Sequence, residues 1–135
     1  MSLARMVFLT IQGRPILWSG DQPDHRDLEH LRFIKQQLRE GGIETLLFTC
    51  DTPSLTLDWG NVDNELMAIN FQWEAELEIE AVRAMRPNSP VLVSEFWSGW
   101  FDKWFEDHHN ILSDESFAEI LSTIFAQNAS VNFYM

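Results

Sequence analysis

Four short apolar runs, at residues 46–50, 66–71, 91–96 and 131–134, alternate with stretches of helical periodicity, and this alternation constrains the chain to a mostly parallel α/β architecture. Parallel strands cannot be joined by tight hairpins. Each pair needs a crossover, and the crossover helices cover the faces of the sheet. Between the runs, Asp24 is a plausible N-cap for a helix that brings Leu28, Leu31, Ile34 and Leu38 onto one face, and Gly41-Gly42 stops it. A second helix over residues 74–85 places Leu77, Ala81 and Met85 on one side, with its glutamates facing solvent. The break at Arg86-Pro87-Asn88-Ser89-Pro90 ends that periodicity. Ser113 can cap a third helix whose Phe117, Ile120, Leu121 and Ile124 form an apolar face. Upstream, residues 6–11 and 16–18 read as short strands joined by a turn at residues 12–15. Pro53 bars the 46–50 strand from continuing, and residues 54–65 have the polar, irregular character of a binding excursion.

Composition narrows the function. Nine Lys and Arg against 21 Asp and Glu give a formal charge of −12, which disfavours a phosphate backbone or an anionic membrane and permits a neutral glycan. Cys50 is the only cysteine, so no intrachain disulfide can form. No apolar run reaches the roughly 18 residues of a spanning helix. Residues 1–11 are moderately apolar, but they contain Arg5 and lack the cleavage pattern of a secretory signal. No linker or low-complexity segment divides the chain.

The stretch PVLVSEFWSGWFD, residues 90–102, carries the most chemistry. Its strand is expected over residues 91–96, followed by a turn at Gly99 and a loop bearing Trp97, Trp100, Phe101 and Trp104. Glu95 falls where the strand leaves the core. A carboxylate there can attack or stabilise an anomeric centre, and aromatic rings support the apolar faces of a pyranose. A strand-end glutamate held by backbone donors beside an apolar patch fits the same residues, so the pattern alone leaves both readings open.

Glu95-Phe96-Trp97-Ser98-Gly99-Trp100-Phe101-Asp102, with Pro90-Val91-Leu92-Val93 before it, resembles the nucleophile signature of glycoside hydrolase family 35, the retaining β-galactosidases and their relatives. The resemblance continues through Leu46-Leu47-Phe48-Thr49, Asp51, Ile69-Asn70-Phe71 and Val131-Asn132-Phe133-Tyr134-Met135, and covers roughly residues 26–135. It implies a partial TIM (β/α)8 barrel, approximately the second half, because a complete barrel takes about 250 residues and this chain has 135. Residues 1–25 form a divergent N-terminal segment ahead of it. The resemblance makes Glu95 the catalytic nucleophile and Trp97, Trp100, Tyr134 and Asn70 substrate-binding residues, with Asp51 in support. It implies a β-galactoside or related glycan as ligand, no metal or organic cofactor, and a lysosomal or extracellular setting.

One departure stands out. Relatives carry an Asn-Glu-Tyr-Gly motif, whose glutamate is the general acid/base, shortly after a Gly-Gly-Pro-Ile-like segment. Gly13-Arg14-Pro15-Ile16 faintly resembles that segment, but residues 17–25 read LWSGDQPDH and contain no such motif. The general acid/base is therefore absent. Asp21 and Asp24 are better read as turn or cap residues, since retaining hydrolysis needs its carboxyl groups about 5–5.5 Å apart and sequence proximity does not supply that geometry. Asp102, Asp107, His108 and His109 do not make a zinc pattern, because adjacent side chains in an extended loop point apart. Cys50 has no local histidine partner and reads as a buried apolar residue. Two expectations follow: a segment of a retaining glycosidase, or a noncatalytic fold fragment or glycan-binding derivative. The isolated chain is expected to be inactive, and four strands alone would expose two parallel edges.

Overall fold

The computed structural model describes residues 28–44, 46–53 and 65–134. In chain order they form α1 (Leu28–Glu40), β1 (Phe48–Asp51), β2 (Leu66–Phe71), α2 (Ala75–Met85), β3 (Leu92–Trp97), α3 (Asp114–Ala126) and β4 (Ser130–Tyr134). The strands make one four-stranded sheet in the order β1-β2-β3-β4, with every pair parallel. Sequential neighbours joined by crossovers are compatible with part of a (β/α)8 barrel. The expected strands at residues 6–11 and 16–18, the Asp24 cap, the excursion at 54–64 and Met135 lie outside the described residues. No helix among the described residues is long and apolar enough to cross a membrane.

Local chemistry accounts for the helix ends. At the end of α1, Gly42 takes φ 84°, a left-handed conformation that costs glycine no Cβ clash. The Ile43 amide then donates to the Leu38 carbonyl at 3.0 Å. Ser113 caps α3 as expected, its Oγ accepting from the Ser116 amide at 3.2 Å. A salt bridge of 2.9 Å between Lys35 and Glu65 ties α1 to the start of β2. The Arg83 guanidinium donates to the side chain and carbonyl of Gln127, joining the end of α2 to the end of α3.

The core lies between the sheet and the α2 and α3 helices. Met67, Ile69 and Phe71 from β2, with Val91, Val93 and Phe96 around β3, meet Ile79, Val82 and Ile124. Phe96 is fully buried and stacks on Phe117 with ring centroids 5.2 Å apart, while Phe71 and Phe133 each lie 6.2 Å away. The apolar face expected for α3 is the one that packs: Ile124 is buried, and Phe117, Ile120 and Leu121 lean on the cluster. The face expected for α2 needs correction. Leu77 is 52% exposed, whereas Glu78 is buried with Ala75, Ile79 and Val82. The sheet engages the Ala75–Ile79–Val82 stripe, and this rotation leaves Leu77 outside and brings Glu78 in.

A bulge in β3 decides what the sheet presents on its other face. Val91 and Val93 belong to the core, and unbroken alternation would send Glu95 after them. Toward β2, however, Val93 is opposite Ile69 while Glu95 is opposite Asn70, so Ser94 is an extra residue. Toward β4, Val93 is opposite Val131 and Phe96 opposite Phe133, so Ser94 and Glu95 together face Asn132. Slipping by one residue exchanges the faces. Phe96 returns to the core, and Glu95 and Trp97 turn to the open side. Without the bulge the carboxylate would enter an apolar cluster, at a cost of several kcal/mol, on the order of that for an unpaired buried charge.

Candidate active site

The open face gathers side chains from the carboxyl ends of three strands. Parallel partners point to the same side, so the register places Asn70 beside Glu95 and Trp97 beside Tyr134. Glu95 is partly buried, and the Trp97 indole Nε1 donates to its Oε2 at 3.0 Å. That bond holds one carboxylate oxygen. Among the described residues, no hydrogen bond engages Oε1.

Aromatic rings extend outward from this carboxylate. Trp97 and Trp100 meet edge-on with centroids 5.0 Å apart, and Phe101 follows 5.0 Å from Trp100. An open cleft of about 370 Å³ lies beside them, lined by Thr52, Asn70, Trp73, Glu78, Trp97 and Trp100 among others. Glu95 does not line it directly and adjoins it through the Trp97 hydrogen bond. The expected placement of Trp97 in a loop needs correction, since it is the last residue of β3. Gly99 likewise forms no tight turn but an antiparallel bridge with Ile111.

The segment between β3 and α3 is pinned by polar bonds. The Trp100 amide donates to the Asn110 carbonyl at 2.6 Å, and the Leu112 amide to the Ser98 carbonyl at 2.9 Å. Farther out, His109 Nδ1 lies 2.5 Å from Asp102 Oδ2, and the Asn110 amide donates to Asp102 Oδ1 at 3.1 Å. These donors hold the Asp102 carboxyl below the usual aspartate range, with the His109 bond the larger cause. Glu106 is lowered first by the Lys103 amide and further by the Asn110 side chain. The Asp102–His109 pair thus acts as a loop clamp. Among the described residues no group of three or more His, Cys, Asp or Glu side chains could hold a metal ion.

Tyr134, Asn70 and Asp51 sit at or next to the carboxyl ends of their strands. Tyr134 shares the open face, yet it is Trp97 whose hydrogen bond reaches Glu95. Asn70 lines the cleft, and its carbonyl accepts weakly from Thr52 Oγ1 at 3.5 Å. Asp51 ends β1, and Cys50 is in the same strand opposite Ala68. Asp21 and Asp24 lie outside the described residues. Trp73 was not anticipated, although its position just beyond the end of β2 parallels that of the aromatic residues beyond β3. Asn132 was also missed as a site residue: its Nδ2 donates to the Ser94 carbonyl at 2.9 Å, directly behind Glu95.

The sequence model of the family described as Glycosyl hydrolases family 35 matches residues 21–135. Human Beta-galactosidase-1-like protein 2 is 33% identical over 113 residues, which is 82% of this chain and 18% of the relative. Human Beta-galactosidase is also 33% identical over 113 residues, covering 81% of this chain and 16% of the relative. Beta-galactosidase-1-like protein 3 of Rattus norvegicus is 31% identical over 112 residues, covering 81% and 17%. The chain therefore spans less than a fifth of the length of these curated relatives.

Proposed function

This chain belongs to glycosyl hydrolases family 35, and on that premise we propose that it carries the nucleophile side of a retaining β-galactosidase site. In this reading residues 26–135 are a partial (β/α)8 catalytic barrel, approximately its second half, preceded by a divergent segment over residues 1–25. The ligand is a terminal β-D-galactosyl residue. The observation that carries the proposal is the turn of Glu95 to the open face, with the Trp97 indole fixing one of its oxygens.

Glu95 Oε1 attacks the anomeric carbon, and a carboxylate–carbon bond forms as the glycosidic carbon–oxygen bond breaks. Water later cleaves the glycosyl ester and restores the carboxylate. Trp97 orients the nucleophile by occupying Oε2, and Trp100 offers a ring face to the sugar. Asn70 and Tyr134 supply polar groups at the rim. Retention by two carboxyl groups calls for no cofactor. The departing oxygen, however, needs a proton, and no residue of this chain matches the family's acid/base glutamate. This departure favours a second reading, a glycan-binding derivative that does not turn substrate over.

A substrate whose leaving group needs no proton separates the two. We expect the folded chain, incubated with 2-deoxy-2-fluoro-β-D-galactosyl fluoride, to gain the mass of one fluorosugar on the peptide containing Glu95. Glu95→Gln should remain unlabelled. Folded protein that binds galactose and never acquires the label would establish the binding reading instead.

A further inference from the structure

We infer that Asn132 is a positioning residue for Glu95, acting through the Ser94 bulge; the inference rests on Glu95 being the nucleophile. A bulge removes its extra residue from the regular ladder and is held only where its polar groups find other partners. Two such partners are present among the described residues. Ser94 is 4% exposed, its hydroxyl donates to the Ile69 carbonyl of β2 at 3.3 Å, and its carbonyl accepts from Asn132 Nδ2 of β4 at 2.9 Å. The extra residue is thus fastened on both sides, and the next residue in sequence is Glu95.

The register explains why an amide suits position 132. Asn132 is the single residue facing Ser94 and Glu95, between the aligned pairs Val93–Val131 and Phe96–Phe133. A carboxylate at this position would set an acceptor against the Ser94 carbonyl, and an aliphatic side chain would offer no donor. Loss of the donor removes the β4 side of this fastening and biases the bulge toward plain alternation. Relaxation swings Glu95 away from the open face and separates it from Trp97. Asn132 needs no contact with the sugar to have this effect.

The Trp97 indole proton reports the geometry without requiring turnover. In 1H–15N spectra of the full 135-residue chain, we expect that proton to resonate downfield of the proton of Trp104, which is 92% exposed. Glu95→Gln should move it upfield. Asn132→Leu should move it to the same upfield position while the amides of α2 and α3 stay in place. Asn132→His, whose Nδ1–H can donate from nearly the same place, should bring it back. A folded Asn132→Leu protein with an unmoved Trp97 resonance would overturn the inference, as would a His variant that behaves like Leu. If Asn132→Leu does not fold, the wild-type protein still decides: slow solvent exchange of one Asn132 side-chain proton supports the clamp, and solvent-like exchange of both refutes it. Failure of Glu95 to accept the fluorosugar would leave these spectra unchanged, so the two claims fail separately.

Discussion

Gly99→Ala should loosen the aromatic site while leaving the core intact. A Cβ on Gly99 would meet the Asn110 carbonyl oxygen at 2.6 Å, whereas ordinary contact begins at 3.4 Å. The two segments must therefore part by about 0.8 Å, the difference of those distances. The neighbouring bond from the Trp100 amide to the same carbonyl now measures 2.6 Å, so an equal displacement takes it to about 3.4 Å and removes most of its strength. Losing that bond and straining the one at Leu112 should cost about 1–3 kcal/mol of local stability. This corresponds to roughly 5- to 150-fold faster amide exchange, at tenfold per 1.4 kcal/mol. Native-state hydrogen exchange at Trp100 and Leu112 measures it directly, with amides of α2 and α3 as internal controls. Under the proposed function, galactoside affinity should weaken together with that protection, because Trp100 moves relative to Trp97. Unchanged protection at both amides would refute the steric reasoning.

Two further outcomes follow from the packing and the charges. Phe96→Ala removes a fully buried ring from contact with Phe71, Phe117 and Phe133 and should lower stability by about 3–5 kcal/mol in denaturant unfolding; a loss below about 1 kcal/mol would mean that this cluster does not anchor the fold. The loop clamp should weaken in acid. Asp102 has a lowered folded-state pKa, so its contribution is complete above the ordinary aspartate value and fades as pH falls through the lowered one. The Asp102-linked transition of the Asn110 amide resonance should therefore be centred below the ordinary aspartate value, and Asp102→Asn should abolish it. A transition in wild-type protein at the ordinary aspartate value would contradict the clamp.

Much of the architecture was legible in local patterns. Apolar runs bounded by Gly, Pro and Asn marked the strands, and residues 66–71 were read with the bounds the structure shows. The Ser113 cap and the Phe117–Ile124 face of α3 depend on spacing within one helix, and both stand. For α2 the spacing was ambiguous. Of the expected Leu77–Ala81–Met85 face, Met85 packs against the cluster while Leu77 lies outside, and contact with the sheet engages Ala75, Ile79 and Val82. Periodicity locates a helix more securely than it orients one whose apolar residues do not form a single face.

The site divides in the same way. By itself the sequence determined the alternation of strands and helices, the place of Glu95 near the end of an apolar strand, the aromatic residues following it and the family to which they belong. Tertiary structure alone decided which face Glu95 occupies, that the Trp97 indole donates to it, and that Asn132 bonds to the Ser94 carbonyl behind it. The physical reason is that a bulge is a mismatch between strands. Nothing within residues 91–97 says that Ser94 will be the extra residue; that depends on β2 and β4, whose partner residues lie 25 and 38 positions away in sequence.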